Sequence, residues 1–177
     1  MRLPRLSMLF ALLGLAVLSP ELLPAQGQAR SLEGTFAYDA QASEQINPAI
    51  ERAIARMNMV TRPIARGRLR KTNTPYQRLA IAHTPSQVTV TTDGRNPIVT
   101  PAAGTPVDWR REDGEMLKVS TEWKNQVLEQ TFAAPDGKRI NAYSLSPDGR
   151  TLTMNVTVTS PRLAAPLTYR LVYRRAS

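Results

Sequence analysis

The chain of 177 residues contains no cysteine and a single histidine, His83. Without cysteine, neither a disulfide framework nor a lipid-modified N-terminal cysteine is available, so stability must come from packing and hydrogen bonding. One histidine without a second histidine or a cysteine nearby cannot assemble the ligand set of a usual zinc site. We therefore expect no metal and no cofactor, and we expect His83 to be a structural or surface residue.

Recognised signatures of catalysis are also missing. The chain has no Gly-x-Ser-x-Gly elbow, no phosphate-binding loop and no dinucleotide-binding fingerprint. Its clustered carboxylates mostly flank a predicted turn and alternate with basic residues, which is typical of a solvated hairpin rather than of a glycosidase pair. These carboxylates are Asp108, Glu112, Asp113, Glu115, Glu122 and Glu129. A non-enzymatic role is favoured, and an enzyme of unrecognised type stays an alternative.

Residues 1–29 have the pattern of a secretory signal peptide. Arg2 and Arg5 give a positive start, Met8 to Leu18 is apolar, and small residues follow. The apolar run is shorter than the about 20 residues that a membrane-spanning helix needs. We expect cleavage after Gly27 or Ala29 and a soluble mature protein that is periplasmic or secreted.

Removal of residues 1–29 leaves 148 residues, the usual size of one domain, so residues 30–177 are predicted to form a single domain. The net charge of the whole chain is +9, and much of the excess lies in residues 48–71. This segment contains Arg52, Arg56, Arg62, Arg66, Arg68, Arg70 and Lys71 against Glu51 alone. A basic block of this kind indicates an anionic partner, and export argues against nucleic acid.

The start of this domain is predicted to be a strand followed by an amphipathic helix. Phe36 and Tyr38 alternate within residues 34–38, as in a strand. Asn47-Pro48 supplies a helix cap and a first-turn proline, which predicts a helix over about residues 47–62. Its apolar stripe consists of Ile46, Ile50, Ala53, Ile54, Met57, Val60 and Ile64, with arginines opposite. Pro63 predicts a kink or stop at residues 61–62 and a looser stretch over residues 66–71.

From Gln77 onward the apolar residues alternate with polar ones, which predicts strands. The alternating pairs and runs include Leu79 and Ile81, Val88 and Val90, Leu117 and Val119, Leu152 to Val158, and Leu167 to Tyr173. Asp-Gly turn signals at 93–94, 113–114, 136–137 and 148–149 separate extended segments. The predicted fold is mainly β: an antiparallel meander or small barrel covered by one amphipathic helix after the first strand. Residues 97–106 are predicted to form a loop or an edge.

Several segments resemble small exported bacterial proteins of the lipocalin-like (calycin-type) β-barrel class. They are Gly34-Thr35-Phe36, Trp123 ahead of Leu128, the run from Tyr143 to Leu152 that contains Leu-Ser-Pro-Asp-Gly, and the closing Val172-Tyr173-Arg174. The resemblance covers most of the mature chain. It implies a small β-barrel, and most proteins of the class have no assigned activity.

Two sets of residues are candidates for binding. Aromatic side chains that face into a barrel can line an apolar pocket, the alternative being a filled core. The predicted ligand-binding residues are Phe36, Tyr38, Trp123, Tyr143 and Tyr169. The predicted contacts to an anion or partner are Arg52, Arg56, Arg66 and Arg70.

The expected function is non-enzymatic binding of a hydrophobic or amphipathic small molecule, such as a lipid, between the helix and the sheet. The alternative is an envelope interaction module that docks on an anionic membrane surface or an envelope protein through its arginine face.

Overall fold

The computed structural model describes residues 32–176, so the predicted signal peptide lies outside the described residues. Ten strands and two helices are found within that range. Their bounds are β1 Gly34–Tyr38, α1 Ile46–Ile54, α2 Thr61–Thr72, β2 Arg78–His83, β3 Gln87–Thr92, β4 Ile98–Pro101, β5 Val107–Arg110, β6 Met116–Lys124, β7 Val127–Ala134, β8 Gly137–Leu145, β9 Thr151–Thr159 and β10 Leu167–Arg175. The strands form one antiparallel sheet in the order β4-β3-β2-β1-β10-β9-β8-β7-β6-β5.

The sheet curls into a nearly closed barrel. β1 pairs with both β2 and β10, and Tyr38 lies opposite Tyr173. The edge strands β4 and β5 are not paired with each other, but Ala103 between them bridges to Glu122 of β6. The predicted antiparallel meander curled into a small barrel is confirmed. Residues 97–106 contain the edge strand β4.

The prediction of one helix over residues 47–62 is wrong, because the chain forms two helices with a break between them. Oδ1 of Asn58 accepts hydrogen bonds from the backbone N–H groups of Val60, at 3.1 Å, and Thr61, at 2.8 Å. These groups are free donors at the start of α2, so Asn58 helps to begin a new helix. Pro63 then falls in the first turn of α2, where a proline is tolerated.

Residues 66–71, predicted to be loose, are helical and belong to α2. They follow Pro63 rather than precede it, and most of them are good helix formers. The predicted apolar stripe is divided at the break: Ile50 and Ile54 are buried, whereas Val60 and Ile64 are exposed. Neither helix within residues 32–176 is long and apolar enough to cross a membrane.

The hydrophobic core fills mainly the side of the barrel that carries α1. Its largest buried side chains come from α1 and from β1, β2 and β7–β10, and they include Phe36, Tyr143, Tyr173, Ile50, Ile54, Leu79 and Met154. A second, smaller cluster joins Ile98 of β4 with Leu117 and Val119 of β6. The interior beneath α2 is less completely filled, and a cavity opens there.

Candidate functional site

The candidate site is a cavity of about 1060 Å³ between α2 and the β4–β9 side of the barrel. The volume is slightly above the usual range for small-molecule sites, about 300–1,000 Å³. Apolar residues that line it include Ile64, Ala65, Leu69, Ile98, Trp109, Leu117, Phe132 and Val158. A wall of this kind can cover the apolar body of a ligand.

Arg139 places a positive charge in the cavity wall. Its Nε donates to Asn141 Oδ1 at 2.8 Å, and its Nη1 donates to Asn73 Oδ1 at 3.0 Å and to the Thr72 carbonyl at 3.3 Å. All three acceptors are neutral, and no carboxylate within residues 32–176 forms an ion pair with Arg139. Since a guanidinium stays protonated in proteins, the cavity wall carries a charge without a counter-ion.

A chain of polar side chains continues from Arg139 along the inner face of β8 and β7. Asn141 Nδ2 donates to Tyr143 Oη at 3.2 Å, and Tyr143 Oη donates to Gln130 Oε1 at 3.1 Å. Burial raises the pKa of Tyr143, so its phenol remains a neutral donor. Gln130 is 1% exposed and lines the cavity, and its Nε2 has no hydrogen-bond partner among the described residues.

Charged side chains surround the mouth of the cavity. Arg68 of α2 pairs with Asp136, in the turn between β7 and β8, at 3.0 Å, and Arg95 pairs with Glu112 at 3.0 Å. Glu115 pairs with Arg111, whose hydrogen bond also lowers the pKa of Asp113 to about 2. Three further cations line the cavity without an ion pair in the described part of the chain: Arg110, Lys138 and Arg162. The mouth is therefore positive overall.

The predicted ligand-binding residues Phe36, Tyr38 and Trp123 lie away from this cavity. Phe36 is buried beneath the guanidinium of Arg175, 4.7 Å from the ring centre. Tyr38 packs on Tyr173 and lines a second cavity of about 440 Å³. The partly exposed ring of Trp123 meets His83 edge to face, at 5.6 Å.

Tyr143 and Tyr169 lie directly behind the cavity wall. Tyr143 bonds to the lining residues Asn141 and Gln130, and Tyr169 Oη donates to Asn73 Oδ1 at 2.9 Å. As a ligand-binding assignment, the five aromatic residues stay a prediction. The lining residues Arg139, Asn141 and Gln130 were missed, although they share the inward positions of β8 and β7 with Tyr143, Leu128 and Phe132.

The arginine face expected on a continuous helix is absent because the chain turns between α1 and α2. Arg66 of α2 donates from Nε and Nη2 to the two carboxylate oxygens of Glu51 in α1, each at 2.7 Å, and Arg70 lies 3.7 Å from Glu51. These bonds hold the two helices together. The side chains of Arg52 and Arg56 are exposed and have no described ion pair. A role of the four arginines in partner contact stays a prediction.

Three large apolar side chains beside the cavity mouth are exposed. Met59 is 87% exposed, Val60 78% and Ile64 70%. Met59 and Val60 lie in the link between α1 and α2, and Ile64 lies in the first turn of α2 and also lines the cavity. We call Met59, Val60 and Ile64 the helix-junction patch.

His83 lines neither the cavity beneath α2 nor the smaller cavity beside Tyr38. Over the same range, no group of three histidine, cysteine, aspartate or glutamate side chains is arranged to hold a metal ion. The cavity wall offers a ligand hydrogen-bond donors and an excess of positive charge.

No family model and no curated protein matches the chain. Solved structures do match. The REP1-NXSQ fatty acid transporter is 15% identical, with a TM-score of 0.52 over 82% of this chain and 96% of that one. Fatty-acid-binding protein 1 of Echinococcus granulosus is 12% identical, with a TM-score of 0.51 over 82% of this chain and 98% of that one.

A third similar structure is the fatty acid binding protein of Schistosoma mansoni in complex with arachidonic acid. It is 16% identical, with a TM-score of 0.52 over 85% of this chain and 98% of that one. At these identities the likeness establishes the fold, a calycin-type β-barrel like that of the fatty-acid-binding proteins. The calycin-type barrel expected from the sequence is confirmed.

Proposed function

We propose that the protein is a non-enzymatic carrier or binder of an amphipathic small molecule, whose apolar body occupies the cavity and whose anionic head group binds Arg139. The observation that supports this most is the guanidinium of Arg139, which lines a largely apolar cavity and has only neutral partners. Similar structures are described as fatty acid transporters or binding proteins, so a fatty-acid-like molecule is the proposed ligand class.

The physical reason is the cost of the unpaired charge. A cation held in a low-dielectric wall gains most from an anion that shares that environment, and hydrogen bonds to charged groups contribute about 1.5–3 kcal/mol. A carboxylate on a hydrocarbon chain supplies the anion and also covers the apolar wall. The excess of cations at the mouth favours entry of an anionic ligand over a cationic one.

The test is displacement of a dansyl-labelled fatty acid by palmitate, for the parent protein and for Arg139→Met. Methionine keeps an unbranched apolar stem and removes the charge. We expect the affinity for palmitate to fall about ten- to 100-fold, as loss of about 1.5–3 kcal/mol implies. Arg162→Met, which removes a mouth cation without an ion pair, is the matched control and should change the affinity much less. Equal affinities of the two variants, or no binding by the parent protein, would overturn the proposal.

A second candidate function, docking on an anionic membrane surface, is supported by the helix-junction patch. Its apolar side chains are exposed and follow the exposed Arg52 and Arg56 in the chain, and an apolar group combined with cations suits a surface of anionic lipid. Arg66 and Arg70 are engaged with Glu51, so we assign the docking to the patch and to Arg52 and Arg56.

Sedimentation with vesicles tests this second function. Val60→Ser together with Ile64→Ser should reduce binding to phosphatidylglycerol vesicles, and phosphatidylcholine vesicles should bind neither protein. Val99→Ser together with Met116→Ser is the matched control, because these exposed apolar residues lie on the strands β4 and β6, and it should bind like the parent protein. Unchanged sedimentation of the patch variant would refute the proposal. Failure of the parent protein to sediment with phosphatidylglycerol vesicles would refute it as well.

The proposed location is the periplasm or the exterior of a bacterial cell, and it rests on the signal-peptide pattern of residues 1–29. Mass spectrometry of the protein from an osmotic-shock fraction tests it. A mature N-terminus immediately after Gly27 or Ala29 is the expected result, and full-length protein in the cytoplasm would contradict it.

A further inference from the structure

Three successive hydrogen bonds link Arg139 to Gln130 through Asn141 and Tyr143, and we call this chain the relay. Arg139 determines which atom donates and which accepts in each bond. Arginine has only donors, so the atom of Asn141 that faces Arg139 Nε must be its oxygen. The amide nitrogen of Asn141 therefore faces Tyr143 and donates to the phenol oxygen. Arg139 thus fixes the orientation of the Asn141 amide, and the amide in turn makes the phenol oxygen of Tyr143 an acceptor.

Tyr143 in turn fixes the orientation of the Gln130 amide on the neighbouring strand β7. Its phenol oxygen accepts from Asn141, and its own proton has Gln130 Oε1, at 3.1 Å, as acceptor. Burial raises the pKa of Tyr143, so this proton is present throughout the physiological range. With Oε1 engaged by the phenol, the nitrogen Nε2 is the free end of the Gln130 amide, and it has no partner among residues 32–176.

Both ends of the relay are consequently hydrogen-bond donors. At one end, the Arg139 guanidinium bonds to neutral acceptors and has no counter-ion; at the other, Nε2 of Gln130 is buried and has no partner among residues 32–176. Leaving a buried donor unsatisfied costs about 1–3 kcal/mol. Gln130 lies directly opposite Asn141 in the β7–β8 pair, so Gln130 and Arg139 are diagonal neighbours with Cα atoms about 7–8 Å apart.

We propose that Gln130 is a specificity-determining residue, which together with Arg139 binds the two oxygens of a carboxylate and so selects a head group that only accepts hydrogen bonds. Asn141 and Tyr143 are positioning residues that hold the Gln130 amide with its nitrogen toward the ligand. This inference rests on the proposed function. It adds that Gln130 increases the preference for an acid over the alcohol of equal chain length, because a hydroxyl carries no charge and brings a donor of its own.

The experiment compares laurate with dodecanol as competitors of the dansyl-labelled fatty acid. For the parent protein we expect at least tenfold tighter binding of laurate. Gln130→Leu removes both donors, and Gln130→Glu places an acceptor and a negative charge beside Arg139. Each variant should reduce the laurate-to-dodecanol affinity ratio about tenfold or more, and the affinity for dodecanol itself should change less than threefold.

Tyr143→Phe tests the positioning role, because it frees the Gln130 amide to rotate and present its oxygen to the cavity. We expect the affinity ratio to fall about threefold or more. Tyr173→Phe is the matched control, since Tyr173 is equally buried on the inner face of the barrel and its hydroxyl has no described partner. Its ratio should equal that of the parent protein. Circular dichroism establishes that each variant is folded before its affinities are compared.

The outcomes separate this inference from the proposed function. Failure of the parent protein to bind either competitor would refute the proposed function. Equal binding of laurate and dodecanol by the parent protein would overturn the inference and also the binding of an anionic head group by Arg139, leaving only the binding of hydrophobic molecules. An unchanged ratio in the Gln130 variants, with laurate binding lost in Arg139→Met, would show that Arg139 acts alone and that Gln130 is not a ligand donor.

Discussion

Replacement of Asn73 by alanine tests how the end of α2 is held above the cavity. Asn73 follows α2 directly and is 3% exposed. Its Oδ1 accepts from Tyr169 Oη at 2.9 Å and from Arg139 Nη1 at 3.0 Å, and its Nδ2 donates to the Leu69 carbonyl at 2.8 Å and to Thr72 Oγ1 at 3.2 Å. Alanine removes all four hydrogen bonds at once.

The four bonds do not contribute equally to the expected loss. Arg139 Nη1 keeps the Thr72 carbonyl as an acceptor, and the hydroxyl of Thr72 keeps its bond to the Arg68 carbonyl. The buried phenol of Tyr169 instead loses the acceptor of its proton, at a cost of about 1–3 kcal/mol. Adding about 1 kcal/mol for the weakened contact with Arg139, we expect the free energy of unfolding to fall by about 2–4 kcal/mol.

The assay is urea unfolding followed by circular dichroism, with a double-mutant cycle between Asn73→Ala and Tyr169→Phe. Phenylalanine at position 169 has no hydroxyl to leave unsatisfied, so the double variant should be more stable than the sum of the single losses by about 1 kcal/mol or more. The same cycle with Tyr173→Phe should be additive, because the Tyr173 hydroxyl has no described partner. Additive losses at Asn73 and Tyr169 would refute the reasoning.

Three other predictions concern helix propensity, fluorescence and pH. Gly67→Ala in α2 should stabilise the protein by about 0.5–1 kcal/mol, since the added methyl meets no atom within 4 Å. Gly137→Ala should destabilise the protein, because the methyl would lie 2.8 Å from a backbone carbonyl of β9. Urea unfolding of both variants tests these two predictions. Trp109 lines the cavity and Trp123 does not, so binding of laurate should change the emission of Trp123→Phe but not that of Trp109→Phe. The hydrogen bond from Arg66 of α2 lowers the pKa of Glu51 below its usual 4.5. The stabilisation of the folded protein by this bond is therefore fully present above pH 4.5 and is lost as the pH falls through the lowered pKa. Glu51→Gln should slightly lower the melting temperature near neutral pH, and the difference from the parent protein should vanish in acid.

The strands could be predicted from the sequence because each inward side chain repeats at period 2. In β9, Leu152, Met154 and Val156 are buried while the intervening residues are not, as the alternation predicted. The helical region could not be predicted in the same way. Pro63 ends a helix when it lies in the interior and suits one when it lies in the first turn, and the choice between these depends on the bonds that Asn58 makes.

The location of the cavity could be predicted least, because it depends on the sum of side-chain volumes and not on residue type alone. Aromatic residues that face inward could either line a pocket or fill the core. The side chains of Phe36 and Tyr143 are fully buried in the core, since a bulky inward side chain occupies the space that a ligand would need, and their role in ligand binding stays a prediction. A polar residue at an inward position is more informative. It cannot be buried in a filled core without a partner, so Gln130 and Arg139, which share inward positions with apolar neighbours, indicate where the interior is open.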